Sequence, residues 1–346
     1  MSVLRRSLRR YWTGRFDRWG TRPGQRPGYS LLVPVPGDLP VFLELALRVL
    51  GTQRAEGRVE TFVIPDVATP AVDRIVARHR AGWTGPLELL RLPYPERVLL
   101  PRMHNPGRNH GVQLLTGVAH ARAQYIVLHD SDLFLLAPDM LDERVALAQG
   151  EDLDVLGADP SPDGWFAERG FHMAATWEMI ARTDWLRAFP PFMHIAHEGE
   201  LNGETHSFDT CVHPQVVADP ARRRVVHSED VVHFNYVIAT YRHFQRSRGG
   251  FEDDRFRLLL IRLFVDIFGQ ESDDALPTLT VLAHGLHDAQ APVTYPAPDG
   301  PTREAYARFR GKLDRILEGP WTPEDSRVAL REQLRAFDRH YAWAVD

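Results

Sequence analysis

Cysteine and lysine are nearly absent from this sequence. Among its 346 residues, Cys211 is the only cysteine and Lys312 is the only lysine. A single cysteine excludes an intramolecular disulfide and a cysteine-held structural zinc site, and it favours a reducing compartment. We therefore interpret Cys211 as a small packed residue and expect arginine to supply nearly all of the positive charge.

Long apolar runs are also missing. No stretch approaches the ~18 apolar residues of a membrane-spanning helix, and the first residues lack the apolar core of a signal peptide. The net charge of −5 gives nucleic acid no overall attraction. With 44% hydrophobic and 25% charged residues, the composition is typical of a globular cytoplasmic protein with one large domain.

Residues 1–28 differ in charge from the rest of the chain, because eight arginines are opposed there by the single acid Asp17. Apolar and aromatic residues recur between these arginines at roughly helical intervals, which predicts a basic amphipathic helix: Leu4, Leu8, Tyr11, Trp12, Phe16 and Trp19. Such an arm could make peripheral contact with the inner face of an anionic membrane. Alternatively, it could pack its aromatic side chains on the domain or on a second subunit.

A buried strand followed by two acids marks the centre of the chain. Residues 125–128 are apolar or aromatic without interruption, as in a strand covered on both faces of a parallel sheet. Asp130 and Asp132 follow, separated by Ser131. Carboxylates two residues apart can lie on the same side and reach one divalent cation, which would in turn hold a diphosphate. The alternative is an ordinary acidic turn.

The segment before this strand adds a spaced pattern. Arg108, Asn109 and Gly111 lie in a loop that leads into an apolar-faced helix, and the order is then loop, helix, buried strand, Asp-x-Asp. Residues 29–240 therefore resemble the GT-A fold nucleotide-sugar glycosyltransferases, especially the family-2-like group. The resemblance implies an α/β fold with a Rossmann-like, mostly parallel sheet flanked by helices. It also implies metal-dependent transfer of a sugar from a nucleoside-diphosphate sugar to an acceptor hydroxyl.

The resemblance assigns two sets of binding residues. Asp130, Asp132 and His233 are the implied metal ligands, and an imidazole beside two carboxylates suits Mn²⁺ better than Mg²⁺. His233 could also be structural. The implied nucleotide-sugar-binding residues lie at strand ends and in the loop: Pro34, Val35, Asp66, Arg108, Asn109, Asp130 and Ser131. Asp66 could instead cap the following helix.

The catalytic base of an inverting transfer would be a carboxylate or a histidine. Asp209 is the first candidate, because the resembled inverting enzymes carry their acid in this interval, and Glu204 is the second. The string at residues 231–234, Val-Val-His-Phe, is similar to one in the retaining glycogenin-like group. Inversion is nevertheless the expectation.

Three segments follow from this reading: an arm at 1–28, a catalytic domain at 29–250, and a helical extension at 251–346 outside the resemblance. The domain divides into a nucleotide-sugar half at 29–158 and an acceptor half at 159–250. The acceptor could be a carbohydrate, a lipid-linked sugar or a small molecule. A non-catalytic nucleotide-sugar-binding domain is the main rival. A haloacid-dehalogenase-type phosphohydrolase is disfavoured, because Phe134 stands where that class needs Thr or Val and Lys312 lies far along the chain.

Overall fold

The computed structural model describes residues 3–16, 25–103, 105–158, 164–247, 255–268, 276–284 and 302–343. The helices are α1 Val3–Arg15, α2 Pro40–Gly51, α3 Pro70–Arg80, α4 Tyr94–Met103, α5 Pro106–His120, α6 Met140–Gly150, α7 Gly164–Glu168, α8 Thr183–Ala188, α9 Val212–Val217, α10 Val237–Ser247, α11 Arg255–Phe268, α12 Leu279–His284, α13 Arg303–Leu317 and α14 Glu324–His340. The strands are β1 Arg26–Val35, β2 Arg58–Pro65, β3 Leu87–Leu89, β4 Ala123–His129, β5 Leu133–Leu135, β6 Val155–Gly157, β7 Glu178–Arg182, β8 His197–Leu201, β9 Glu204–Phe208, β10 Arg223–Val225 and β11 Val231–His233.

Seven strands form the central sheet in the order β10-β6-β7-β4-β1-β2-β3. Strand β7 runs antiparallel to both of its neighbours, and the other pairs are parallel. Strands β5 and β11 pair separately, as do β8 and β9. This mostly parallel sheet between helices confirms the expected fold class. Within the described ranges, no helix has both the length and the apolar character needed to cross a bilayer.

Both faces of the sheet are buried, so its central strands are apolar throughout. Along β1, Leu31 and Val33 face one hydrophobic cluster, whereas Leu32 faces the other, together with Ile126 of β4. The alternation follows from the two-residue period of a strand. A run such as residues 125–128 is therefore apolar because helices cover it on both sides.

The helices near the end of the chain share the core of the catalytic sheet. Leu259 and Phe264 of α11, Phe309 of α13 and Leu330 of α14 belong to the same buried cluster as Leu31. The expected helical character of this segment is confirmed. The apolar faces of these helices pack against the main hydrophobic core.

Three segments differ from what their sequence predicts. The residues after β3 predict a loop containing Arg97 and Arg102, but both arginines lie on α4, whose internal Pro101 and weak apolar period hide the helix. The residues from Phe171 to Glu178 predict a strand, but β7 begins only at Glu178. The hairpin of β8 and β9 carries mostly exposed or half-buried side chains, so apolar alternation could not reveal it.

Helix α1 packs on the domain, as the second interpretation of the N-terminal arm describes. Leu8, Trp12 and Phe16 are at most 9% exposed and join a cluster that includes Val112 of α5. Arg15 lies 2.9 Å from the buried carboxylate of Glu96.

We expect Trp12→Ala to lower the free energy of unfolding by about 3–5 kcal/mol, the usual cost of deleting a buried aromatic side chain. Thr13→Ala is the matched control, because Thr13 is exposed on the same helix and should change stability by less than about 0.5 kcal/mol. Urea denaturation followed by circular dichroism measures both values. Equal midpoints for Trp12→Ala and the wild type would contradict the docked arrangement.

Candidate functional site

Three neighbouring parallel strands end at one edge of the sheet and bring polar side chains together there. Asp130 follows β4, Val35 ends β1, and Asp66 follows β2. These residues line one cavity of about 480 Å³. In open α/β sheets, the carboxyl ends of the strands are where ligands bind.

Asp130, Asp132 and His233 form a cluster whose ligand atoms lie within 4.8 Å of one another. Strand β11 pairs antiparallel with β5, setting His233 opposite Leu133, which puts a residue distant in sequence beside the two acids. The His233 Nε2 atom is 3.4 Å from Asp132 Oδ1. A cation with bonds of about 2.1 Å holds its ligand atoms about 3–4.2 Å apart. Two carboxylates and an imidazole are the donor types that suit an ion such as Mn²⁺, and their widest separation exceeds the required spacing by at most about 0.6 Å.

His110 supports the cluster from α5, with its Nε2 atom 3.0 Å from Asp130 Oδ1. Burial lowers the pKa of His110, but Asp130, then Asp209 and Asp132, raise it more, so the net pKa lies above its ordinary value. The imidazole lies within ion-pair distance of Asp130 and so restricts the position of that carboxylate. Sequence reasoning missed His110, although it occupies the variable position between Asn109 and Gly111 of the motif.

Trp177 contacts both Asp130 and His233. Its main-chain oxygen accepts a hydrogen bond of 2.9 Å from the Asp130 N–H. Its ring stacks on His233, with centroids 4.7 Å apart and planes at 29°. Trp177 also lines the cavity. The residue therefore restricts both the backbone at Asp130 and the ring plane of His233.

Asp66 is buried in a network at the β1–β2 end of the cavity. Its carboxylate accepts from Arg242 Nη2 at 2.9 Å, Gly37 N at 3.0 Å and Asn109 Nδ2 at 3.3 Å. Burial raises the pKa of Asp66, and Arg242 offsets part of that shift. Arg242 also contacts Asp38, so α10 is attached to the ends of both strands. Sequence reasoning missed this arginine because 176 positions separate it from Asp66.

The other residues implied by the resemblance divide into two groups. Pro34, Val35, Asn109 and Ser131 line the cavity. Arg108 does not; its main-chain N–H donates to Asn105 Oδ1 at 2.9 Å, in the N-cap of α5. Its assignment to the diphosphate stays a prediction.

The two candidate bases lie in different surroundings. Asp209 lines the cavity, and a Cβ atom placed on Gly107 would lie 2.9 Å from its Oδ1 atom. Thr210 donates its N–H to that oxygen at 2.7 Å. Glu204, on β9, is not among the cavity-lining residues and pairs with Arg169 at 3.1 Å, with a 60% exposed side chain. Asp209 is therefore the candidate that lines the same cavity as Asp130, Asp132 and His233.

No family model and no curated protein matches the sequence, but solved structures do. A mannosyltransferase from Pyrobaculum calidifontis, in complex with GDP-Man and Mn²⁺, is 15% identical over 97% of this chain and 95% of its own, with a TM-score of 0.42. TarS 1-349 of S. aureus, in complex with UDP, is 17% identical over 91% and 89%, with a TM-score of 0.40. Glucosyl-3-phosphoglycerate synthase from Mycobacterium tuberculosis, in complex with phosphoglyceric acid, is 15% identical over 66% and 78%, with a TM-score of 0.43.

We expect Asp132→Asn to abolish stabilisation by Mn²⁺ without unfolding the protein. Mn²⁺ at 100 times its dissociation constant should stabilise the wild type by about 2.7 kcal/mol. Removing one ligand charge should eliminate most of that gain. Glu229→Gln is the control, because its side chain is 87% exposed and lies outside the cluster. Thermal unfolding with Mn²⁺ and with EDTA measures the difference; a Mn²⁺ response in Asp132→Asn equal to that of the wild type would contradict the assignment.

Proposed function

We propose that the protein is a Mn²⁺-dependent, inverting glycosyltransferase that moves a hexosyl group from a nucleoside-diphosphate sugar to an acceptor hydroxyl. The observation that carries this proposal is the cluster of Asp130, Asp132 and His233, facing the same cavity as the ends of β1 and β2. The cavity thus joins a cation site to a surface at Pro34 and Val35 that suits a nucleotide.

The donor diphosphate lies against the metal cluster in this proposal. The cation would be held by Asp130, Asp132 and His233, and it would supply Lewis-acid stabilisation of the departing diphosphate. His110 orients Asp130 by the 3.0 Å contact, and Trp177 restricts the plane of His233. The nucleoside then extends toward Pro34, Val35 and Asp66. Asn109 lies between these two parts of the cavity and donates to Asp66.

Asp209 removes the proton from the acceptor hydroxyl. Its carboxylate lines the cavity on the side of Gly107 and acts electrostatically on His110. The Thr210 N–H occupies one side of its Oδ1 atom, so the remaining lone pairs can accept a proton. A base on the face opposite the leaving diphosphate gives inversion at the anomeric carbon. The acceptor is a hydroxyl compound that reaches the cavity beside Asp209.

We expect UDP or GDP to raise the melting temperature in the presence of Mn²⁺ and to do so much less in EDTA. The reason is that, without the cation, the diphosphate would face the carboxylates of Asp130 and Asp132 with no metal ion to neutralise its own charge. Thermal-shift titrations of each nucleotide, with AMP as a monophosphate control, identify the preferred base. Melting temperatures that are equal in all conditions would contradict the proposal. Nucleotide binding without donor hydrolysis or transfer would favour a non-catalytic binding domain.

We expect Asp209→Asn to lower kcat by about 10²–10⁴ and to leave nucleotide binding unchanged, because a positioned general base acts on the chemical step. Glu204→Gln is the matched control and should retain the wild-type kcat. Initial rates with a nucleotide-sugar donor, together with proton NMR of the anomeric signal, test both parts. A retained anomeric configuration, or a wild-type rate for Asp209→Asn, would contradict the role of Asp209.

A further inference from the structure

The main chain from His233 to Tyr236 contains a metal ligand but has little regular structure to hold it. Strand β11 ends at His233, and its pairing with β5 ends there as well. Tyr236 adopts a left-handed backbone conformation with φ of 68°, and α10 begins at Val237. His233, Asn235 and Tyr236 all line the cavity. The position of the imidazole therefore depends on whatever fixes this short segment.

Two cations from the C-terminal helices bind the carbonyl oxygens of this segment. Lys312 of α13 donates from Nζ to the His233 oxygen at 3.0 Å. Arg257 of α11 donates from Nε to the Asn235 oxygen at 2.6 Å. Hydrogen bonds from charged donors are stronger than those between neutral groups.

The same two side chains approach the aromatic rings of the segment. The Lys312 ammonium lies 5.9 Å from the ring centroid of Phe234, and the Arg257 guanidinium lies 5.7 Å from that of Tyr236. Cations attract aromatic faces at such distances. Each cation therefore contacts both a carbonyl oxygen and a neighbouring ring, and all four residues of the segment are engaged by the C-terminal helices.

We propose that Lys312 and Arg257 are positioning residues that fix His233 for metal binding, so that the C-terminal helical extension completes the metal site. The inference rests on the proposed function only in taking His233 as a metal ligand. Neither Lys312 nor Arg257 is among the residues that line the cavity, so both act through the main chain of the segment that carries the imidazole.

The direction in which Mn²⁺ affinity changes distinguishes this positioning role from a purely electrostatic one. A positive charge near a cation site repels the ion, so a purely electrostatic role predicts that removing the Lys312 charge tightens Mn²⁺ binding. A positioning role predicts the opposite, because the imidazole loses its fixed orientation. Arg315→Met is the matched control, since it removes one cation from the same helix, one turn beyond Lys312.

The test measures Mn²⁺ affinity from the electron paramagnetic resonance signal of the free ion, without substrate. We expect Lys312→Met to weaken binding about 10-fold, the lower end for residues that support metal ligands. Lys312→Arg should restore the affinity to within about threefold, because arginine also donates to carbonyl groups. Arg315→Met should leave it unchanged or slightly tighter. In a His233→Ala background, Lys312→Met should have almost no further effect, since a double-mutant cycle isolates the coupling between the two residues.

Thermal unfolding in EDTA reports on folding separately. If Lys312→Met does not fold, Lys312→Gln takes its place, because glutamine keeps a polar side chain at this half-buried position. Lys312→Gln should also weaken Mn²⁺ binding. Unchanged or tighter Mn²⁺ binding by the folded variant would overturn the inference and leave the proposed function intact. Absence of Mn²⁺ binding by the wild type would overturn the metal-dependent function and the inference together.

Discussion

The need to compensate three carboxylates that line one cavity, those of Asp130, Asp132 and Asp209, constrains the arrangement of this site. His110 contacts Asp130, and His233 contacts Asp132, so each acid of the pair has an imidazole partner. Thr210 donates its main-chain N–H to Asp209. In the proposed function, a metal ion would add to this compensation at the first two acids.

The motif from Arg108 to Gly111, expected in a loop, lies in the first turns of α5, and it has a packing explanation as well as a chemical one. A Cβ atom on Gly111 would lie 2.8 Å from the backbone of Ile195, so only glycine allows this close approach. Asn109 donates its amide to the buried carboxylate of Asp66, and His110 contacts Asp130. The motif therefore connects the β1–β2 end of the cavity to the acidic pair.

Sequence reasoning found the elements with a strong local signal and missed those defined by distant contacts. The sequence predicts helices from about Pro70 to Arg80 and from Arg303 to Leu317, and α3 and α13 have these bounds, because proline or a capping threonine begins each helix. The pair Asp130 and Asp132 was visible as a short pattern after an apolar run. By contrast, Arg242 and His110 carry no local signal for their partners. They acquire a role only when the sheet brings α10 and α5 to the same edge, which a one-dimensional pattern cannot show.

The pairing of β11 with β5 also has a consequence for the order in which the site can be made. Asp130 and Asp132 are synthesised about a hundred residues before His233, and Lys312 follows nearly eighty residues later. A nascent chain can therefore present its two acids long before the imidazole and its cationic contacts exist. The proposed ion site is therefore incomplete in the emerging protein throughout that interval. If the site binds a cation as proposed, strong retention of that cation is a property of the finished polypeptide, because the histidine and the contacts that surround it arrive late in translation.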